Sequence, residues 1–203
     1  MADNRGMTDA TPTAKAAVRR ELRAARRAVA ATRDREADAA AIAAAVLAGC
    51  VDPIADGATV AIYRSLPTEP PTDALAAGLH ARGLRVLVPV LLPDKDLDWC
   101  RLLPDGSTGP ALGLDAIARA AVVVTPALAV DVSGARLGQG GGSYDRALRR
   151  RAPGALVVAV VGDDELVPGP LPAQGHDVRV DAVVTPGRGM LRLPAPPPGA
   201  AGG

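Results

Sequence analysis

Ala120-Ala121-Val122-Val123-Val124-Thr125-Pro126 is the run whose reading decides the fold of this 203-residue chain. It is apolar almost throughout and rich in β-branched residues, with no alternation of polar and apolar positions. That texture belongs to a strand covered on both faces. Four more runs share it: Ala58–Tyr63, Leu84–Val90, Ala155–Val161 and Val180–Thr185. Between them lie segments of helical character at Thr72–Arg82, Leu114–Ala118 and Tyr144–Arg151. Strands alternating with helices imply right-handed crossovers. The expected fold class is therefore α/β: a three-layer α/β/α sandwich around a mostly parallel, Rossmann-like sheet. In such sheets ligands collect at the carboxyl ends of the strands.

Two helices precede the first strand. Ala14–Ala30 carries Val18, Leu22, Ala25 and Val29 at the spacing of one apolar stripe, and a second helix runs from Asp34 to about Leu47, ended by Gly49 and Pro53. Residues 1–13 and 194–203 lack apolar periodicity and are expected to be disordered tails around a single domain at 14–193. Trp99 and Cys100 close a short strand-like segment and suit core packing.

Composition removes several function classes. Net charge is +1, and the three aromatic residues (Tyr63, Trp99, Tyr144) cannot build a base-stacking platform. Cys50 and Cys100 offer neither a disulfide framework nor a Cys-x-x-Cys zinc spacing. No apolar run reaches membrane-spanning length and no signal-peptide pattern opens the chain. A cytoplasmic monomer with a small-molecule substrate, and without a nucleic-acid or membrane partner, is the expectation.

The segment after the 120–126 run holds the densest chemistry. It reads Arg136-Leu137-Gly138-Gln139-Gly140-Gly141-Gly142-Ser143-Tyr144-Asp145-Arg146. Four glycines in five positions strip Cβ atoms from a loop, so that main-chain N–H groups can close on a bulky anion. Arg136 suits phosphate oxygens, and Asp145 suits the magnesium ion that accompanies a nucleotide. The helix that follows offers its N-terminus to the same negative charge. There is no Gly-Lys-Ser/Thr, and the glycines do not lie in the first βα turn, so neither a Walker P-loop nor a dinucleotide fingerprint fits.

The string Arg-Leu-Gly-x-Gly-x-Gly-x-Tyr-Asp-Arg resembles the signature of the 5-formyltetrahydrofolate cyclo-ligases. Other pieces stand in that family's order: Lys15-Ala16-Ala17-Val18-Arg19, then Tyr63-Arg64-Ser65 with Glu69 and Thr72, then Pro89-Val90. His176-Asp177 and Val180-Asp181-Ala182-Val183-Val184-Thr185 close the series. The likeness spans Lys15 to Thr185. It implies an ATP- and Mg2+-dependent enzyme that cyclises 5-formyltetrahydrofolate to 5,10-methenyltetrahydrofolate, releasing ADP and phosphate. By the same resemblance, Lys15 and Arg19 contact ATP phosphates, and Arg136, Leu137, Gly138, Gln139, Gly140, Gly141, Gly142, Ser143 and Tyr144 wrap the triphosphate. Gln139 to Ser143 also face the folate. Arg64 and Glu69 line its pocket, Asp145 and Asp177 hold magnesium, and Arg136 and Tyr144 act in catalysis. The chain departs from the pattern at Ser143 (usually aromatic), Val130 (commonly phenylalanine) and Pro70 (usually valine).

Each residue also has a plainer reading. Lys15 and Arg19 share a helix with Arg20, Arg23, Arg26 and Arg27, which reads as a solvated basic face pairing with Glu21 or Glu36. Lys15 stands out as one of only two lysines beside 21 arginines. Asp145 could answer the helix dipole, His176-Asp177 could form an Asx turn, and Glu69 could be a solvated loop acid. At the level of the whole chain, two alternatives remain. One is a noncatalytic nucleotide-binding relative; the other is a module whose basic helix, residues 15–27, binds nucleic acid or membrane.

Overall fold

A computed structural model describes residues 12–52, 54–174 and 177–194. The chain opens with α1 (Pro12–Ala30) and α2 (Arg35–Val46), whose last turn runs on as a π-helical turn, Leu47–Val51. Asp34 caps α2 by accepting from the amides of Glu36 and Ala37. The expected end at Gly49 is overrun by two residues, and Pro53 lies outside the described residues. There follow β1 (Thr59–Ala61), α3 (Asp73–Ala81), β2 (Arg85–Leu91), β3 (Leu97–Leu102) and β4 (Thr108–Ala111). A 3-10 turn, Leu114–Arg119, leads into β5 (Ala120–Pro126), then β6 (Ala129–Asp131), β7 (Arg136–Leu137), α4 (Ser143–Arg149) and β8 (Leu156–Val160). After a 3-10 turn at Asp163–Glu165 come β9 (Leu166–Val167), β10 (Ala182–Thr185) and β11 (Gly189–Arg192).

All five β-branched runs are strands of one eight-stranded sheet, ordered β11-β10-β8-β5-β1-β2-β3-β4. The four central pairings, β10–β8, β8–β5, β5–β1 and β1–β2, are parallel. The flanking pairings, β11–β10, β2–β3 and β3–β4, are antiparallel. Side chains along β5 show why alternation was missing from the sequence. Val122 and Val124 join the core under α2 and α3, with Ile42, Val46, Leu75 and Leu79. Val123 points the other way, into a second core with Trp99, Ile117, Ala147 and Leu148 under α4. Both faces are dry, so both sets of positions are apolar.

Two features depart from the expectation. A second, three-stranded sheet, β7-β6-β9, was not expected; two of its strands occupy the segment between β5 and the glycine loop. Helix α1 joins neither face of the large sheet. It lies across the carboxyl ends of the parallel strands and turns its basic stripe inward: Lys15 and Arg26 are buried, whereas Ala25 and Val29, expected on the apolar stripe, are exposed. The expected N-terminal tail also loses residues 12 and 13 to α1; the rest of it, and nearly all of the C-terminal one, lie outside the described residues.

Chain direction sets where a ligand can sit. From β1 the chain moves to β2 on one side and later to β5 on the other, so the strand order reverses between β1 and β5. A crevice at the carboxyl ends of those two strands is the geometric result.

Candidate functional site

That crevice is a cavity of about 870 Å³. Tyr63 and Arg64, just past β1, form one wall, and Pro126 and Ala127, at the end of β5, another. The glycine loop Gly138–Gly142 arches over it from the small sheet, and α1 lies along its edge. Lys15, Arg19, Arg64, Glu69, the whole of 136–145 and Asp177 all line this one space. These are all the residues the sequence singled out for the site. His176 lies outside the described residues.

The loop owes its shape to two glycines with positive φ, Gly140 at 104° and Gly142 at 68°. Among the described residues, the main-chain amides of residues 138–142 donate no hydrogen bond. Two of their carbonyls are held instead by α1, and those of Gly141 and Gly142 by Arg146 of α4. Arg19 Nε donates to Gly138 O at 3.0 Å, and Arg23 donates to Gln139 O at 2.5 Å and to Gln139 Oε1 at 2.9 Å. With carbonyls occupied from outside, the free amides remain for a ligand.

The charged side chains are paired across the cavity. Lys15 Nζ lies 2.6 Å from Asp177 Oδ2 and donates to Gln174 Oε1 at 3.3 Å. Arg136 Nη2 lies 2.6 Å from Asp145 Oδ1, with the guanidinium 6.0 Å from the ring centre of Tyr144. The solvated-face reading of Lys15 is thereby overturned: its partner is Asp177, 162 residues away, rather than Glu21 or Glu36. Of the basic run, only Arg20 and Arg27 are exposed. Arg26 is pinned by a bidentate pair with Glu165 (2.5 and 2.7 Å) and also donates to Ala127 O.

The Asp177 carboxylate accepts from the Gln174 amide at 2.7 Å as a turn cap, and from Lys15. Glu69 is buried rather than solvated and accepts from the Leu66 amide at 3.0 Å. Burial, and then the charge of Glu69, push the Tyr144 phenol far above its ordinary range, against the opposing effect of Arg136. Tyr144 therefore stands in the site as a neutral hydroxyl. That hydroxyl and Arg136 Nε are buried without a hydrogen-bond partner among the described residues. Orphaned donors on a cavity wall are groups a ligand would satisfy.

The three departures from the family pattern have structural places. Val130 is fully buried within the small sheet, and the carbonyl of Pro70 accepts the Tyr63 hydroxyl at 2.7 Å. Ser143 is the first residue of α4. Sequence reasoning missed Lys95, Leu91, Leu97 and Gln174, which also line the cavity. A signal existed for Lys95: it is the other of the two lysines, the rarity that marked Lys15.

A model of the 5-formyltetrahydrofolate cyclo-ligase family matches residues 11–186. The chain belongs to that family. A 5-formyltetrahydrofolate cyclo-ligase of Mycolicibacterium smegmatis is 41% identical over 152 residues, covering 68% of this chain and 78% of the relative. That of Escherichia coli K12 is 32% identical over 150 residues, covering 67% and 82%. Among solved structures, the 5,10-methenyltetrahydrofolate synthetase of Aquifex aeolicus superposes with a TM-score of 0.69 at 20% identity, covering 90% of this chain and 94% of that one. Its Mycoplasma pneumoniae counterpart gives 0.66 at 19%, covering 83% and 96%. These two likenesses carry the shared α/β fold of the cyclo-ligase family.

Among the described residues, no helix is long and apolar enough to cross a membrane. Nor do three or more His, Cys, Asp or Glu side chains gather there to hold a metal ion unaided. Asp145 and Asp177 on one cavity wall do fit magnesium, which takes one or two carboxylates and fills its other positions with water and substrate phosphates.

Proposed function

We propose that this chain catalyses the ATP- and Mg2+-dependent cyclisation of 5-formyltetrahydrofolate to 5,10-methenyltetrahydrofolate, with release of ADP and phosphate. The carrying observation is the convergence on one cavity of every residue that the family resemblance assigns to nucleotide, folate or metal. Family membership supports the same reading.

The formyl oxygen of an N-formyl amine is a weak nucleophile and a poor leaving group. Phosphorylating it by ATP makes the formyl carbon open to attack by N10 of the same folate, and loss of phosphate then leaves the methenyl bridge. Such a transfer asks the protein for placement and for positive charge around the moving phosphoryl group. Lys15, Arg19 and Arg136 supply the charge, and the unbonded amides of residues 138–142 supply an anion nest. Tyr144, kept neutral, offers an O–H donor from the same wall. Magnesium, when bound, neutralises phosphate charge; Asp145 and Asp177 would hold it. Glu69, buried on the cavity wall, is a partner for the ring N–H groups of the pterin. Attack by N10 is intramolecular, so holding the folate bent contributes much of the rate.

In the site the charges neutralise one another as Lys15–Asp177 and Arg136–Asp145. Mg-ATP carries the complementary set: phosphates for the two cations and a metal for the two carboxylates. Ligand entry is thus an exchange of partners rather than the filling of an unpaired cluster. The test is direct. Purified protein mixed with 5-formyltetrahydrofolate and Mg-ATP should generate the methenyl absorbance, and folded protein that gives none refutes the proposal.

A further inference from the structure

We infer that Lys95 is a specificity residue that holds the glutamate carboxylates of the folate substrate at the mouth of the cavity. The inference rests on the folate reading above. Five cations line the cavity. Lys15 and Arg136 are ion-paired, Arg19 is bound to Gly138 O, and Arg64 stands exposed beside the loop that carries Glu69. Among the described residues, no hydrogen bond or ion pair is made by the side chain of Lys95, which lies on the hairpin between β2 and β3.

The hairpin tip is a three-residue loop closed by Lys95 N donating to Leu92 O and Leu92 N to Asp96 O, with Lys95 at the left-handed position such a loop takes. Lys95 has φ 66°, a conformation that side-chain-bearing residues seldom adopt. Its carbonyl accepts Arg146 Nη2 at 2.5 Å, and the same guanidinium reaches Gly141 O at 3.3 Å. Next to it, the buried carboxylate of Asp96 takes Arg150 in a bidentate pair at 3.1 and 2.6 Å. Helix α4 and the glycine loop thereby fix the tip over the cavity. The stem of Lys95 passes the loop, its Cδ 4.0 Å from where a side chain at Gly141 would begin.

Exposure rises along this wall in the order a folate requires. Pro89 is half-buried, Leu91 66% exposed, and Lys95 lies beyond them in solvent. A folate has a hydrogen-bonding pterin at one end, an apolar benzoyl ring in the middle and two carboxylates at the other end. Buried Glu69, then Leu91 and Leu97, then the Lys95 ammonium match that sequence of groups.

The experiment measures binding and kinetics of wild type, Lys95→Met and Lys95→Arg with 5-formyltetrahydrofolate and with its des-glutamyl analogue, 5-formyltetrahydropteroate. A partly exposed ion pair contributes up to about 1 kcal/mol, so Lys95→Met should weaken 5-formyltetrahydrofolate about 3- to 5-fold in Kd and KM. KM for ATP and kcat should stay within about twofold, the analogue should bind both proteins alike, and Lys95→Arg should restore affinity. Equal losses on both folates, or a raised KM for ATP, overturn the assignment, the latter by making Lys95 a phosphate ligand. An unchanged Lys95→Met in an active enzyme overturns it alone. Wild type that fails to bind 5-formyltetrahydrofolate removes the folate reading and this inference together.

Discussion

Replacing Gly140 by alanine tests whether the main chain of the loop holds the triphosphate. A Cβ at that position would lie 3.5 Å from Arg19 Nε, an ordinary contact, so crowding contributes little. The cost comes from the backbone. At φ 104° an alanine is strained by about 1–3 kcal/mol. The amides of residues 138–142 donate no hydrogen bond among the described residues, and the carbonyls of Gly138, Gln139 and Gly141 are held by the long side chains of Arg19, Arg23 and Arg146, which can follow a shifted loop. The loop should relax in the free protein and pay the strain back on binding, weakening Mg-ATP by about 5- to 150-fold at 1.4 kcal/mol per tenfold. Gly106→Ala is the matched control. It sits at φ 82° in the β3–β4 turn, with open space where a Cβ would go. There the flanking bonds Gly106 N to Leu103 O and Leu103 N to Ser107 O hold the turn, so the strain should appear as lost stability, about 2–4 °C in Tm per kcal/mol. Calorimetric titration with Mg-ATP and thermal denaturation of both variants separate the cases. If Gly140→Ala binds Mg-ATP within twofold of wild type, the nest argument fails.

Tyr144→Phe removes a buried hydroxyl that has no partner among the described residues, so chemical denaturation should find stability unchanged, while kcat/KM falls about 5- to 12-fold for a lost ligand hydrogen bond of about 1–1.5 kcal/mol. Unaltered kcat/KM would remove Tyr144 from the site's chemistry. Glu165→Leu leaves Arg26 buried without its carboxylate and should cost about 3–5 kcal/mol in urea unfolding, a loss under 1 kcal/mol arguing against a desolvated pair. The acid limb of stability should reflect Asp131 and Asp96. For Asp131, burial pushes the carboxyl up, but hydrogen bonds from Ser133, Leu171 and Ala135 outweigh it and hold the group below its usual value. The Arg150 hydrogen bond lowers Asp96 against a smaller burial effect. Both contributions are complete above the unfolded value of about 3.9 and are lost as pH falls through the depressed folded value. Unfolding followed from pH 6 down to 2 should therefore show a steep loss below about pH 4, and Asp131→Asn should flatten it; an unchanged slope in that variant would exclude Asp131 as a source.

The sequence carried the parallel half of the sheet because buried-on-both-faces strands leave an unbroken apolar record, as Val122 to Val124 do. It carried the glycine loop because backbone geometry there demands glycine itself. The β3–β4 extension was harder to read: Thr108–Ala111 contains Gly109 and Pro110 and lies at a half-exposed edge, without the texture of a buried strand. The small sheet has strands of two or three residues, too short for any period to register. Helix α1 misled because its apolar spacing was real, yet the inward face is the one carrying Lys15, Arg19, Arg23 and Arg26. Those side chains meet carboxylates and carbonyls more than a hundred positions away, and no local pattern announces such partners. Lys95 escaped notice because an acidic turn, Asp94-Lys95-Asp96, looks like ordinary surface.

The reach of α1's contacts has a consequence for how the protein is born. Its basic side chains find their partners 101 to 162 residues later in the chain, at Ala127, Gly138, Gln139, Glu165 and Asp177. At a synthesis rate of about 5–20 residues per second, the helix leaves the ribosome many seconds before Asp177 exists. Through that interval its arginines have only solvent and the ribosome's own phosphates to answer them. The strands through β8 can pair meanwhile, but β10 and β11 follow Asp177, so the far side of the sheet and the pocket's edge are completed together.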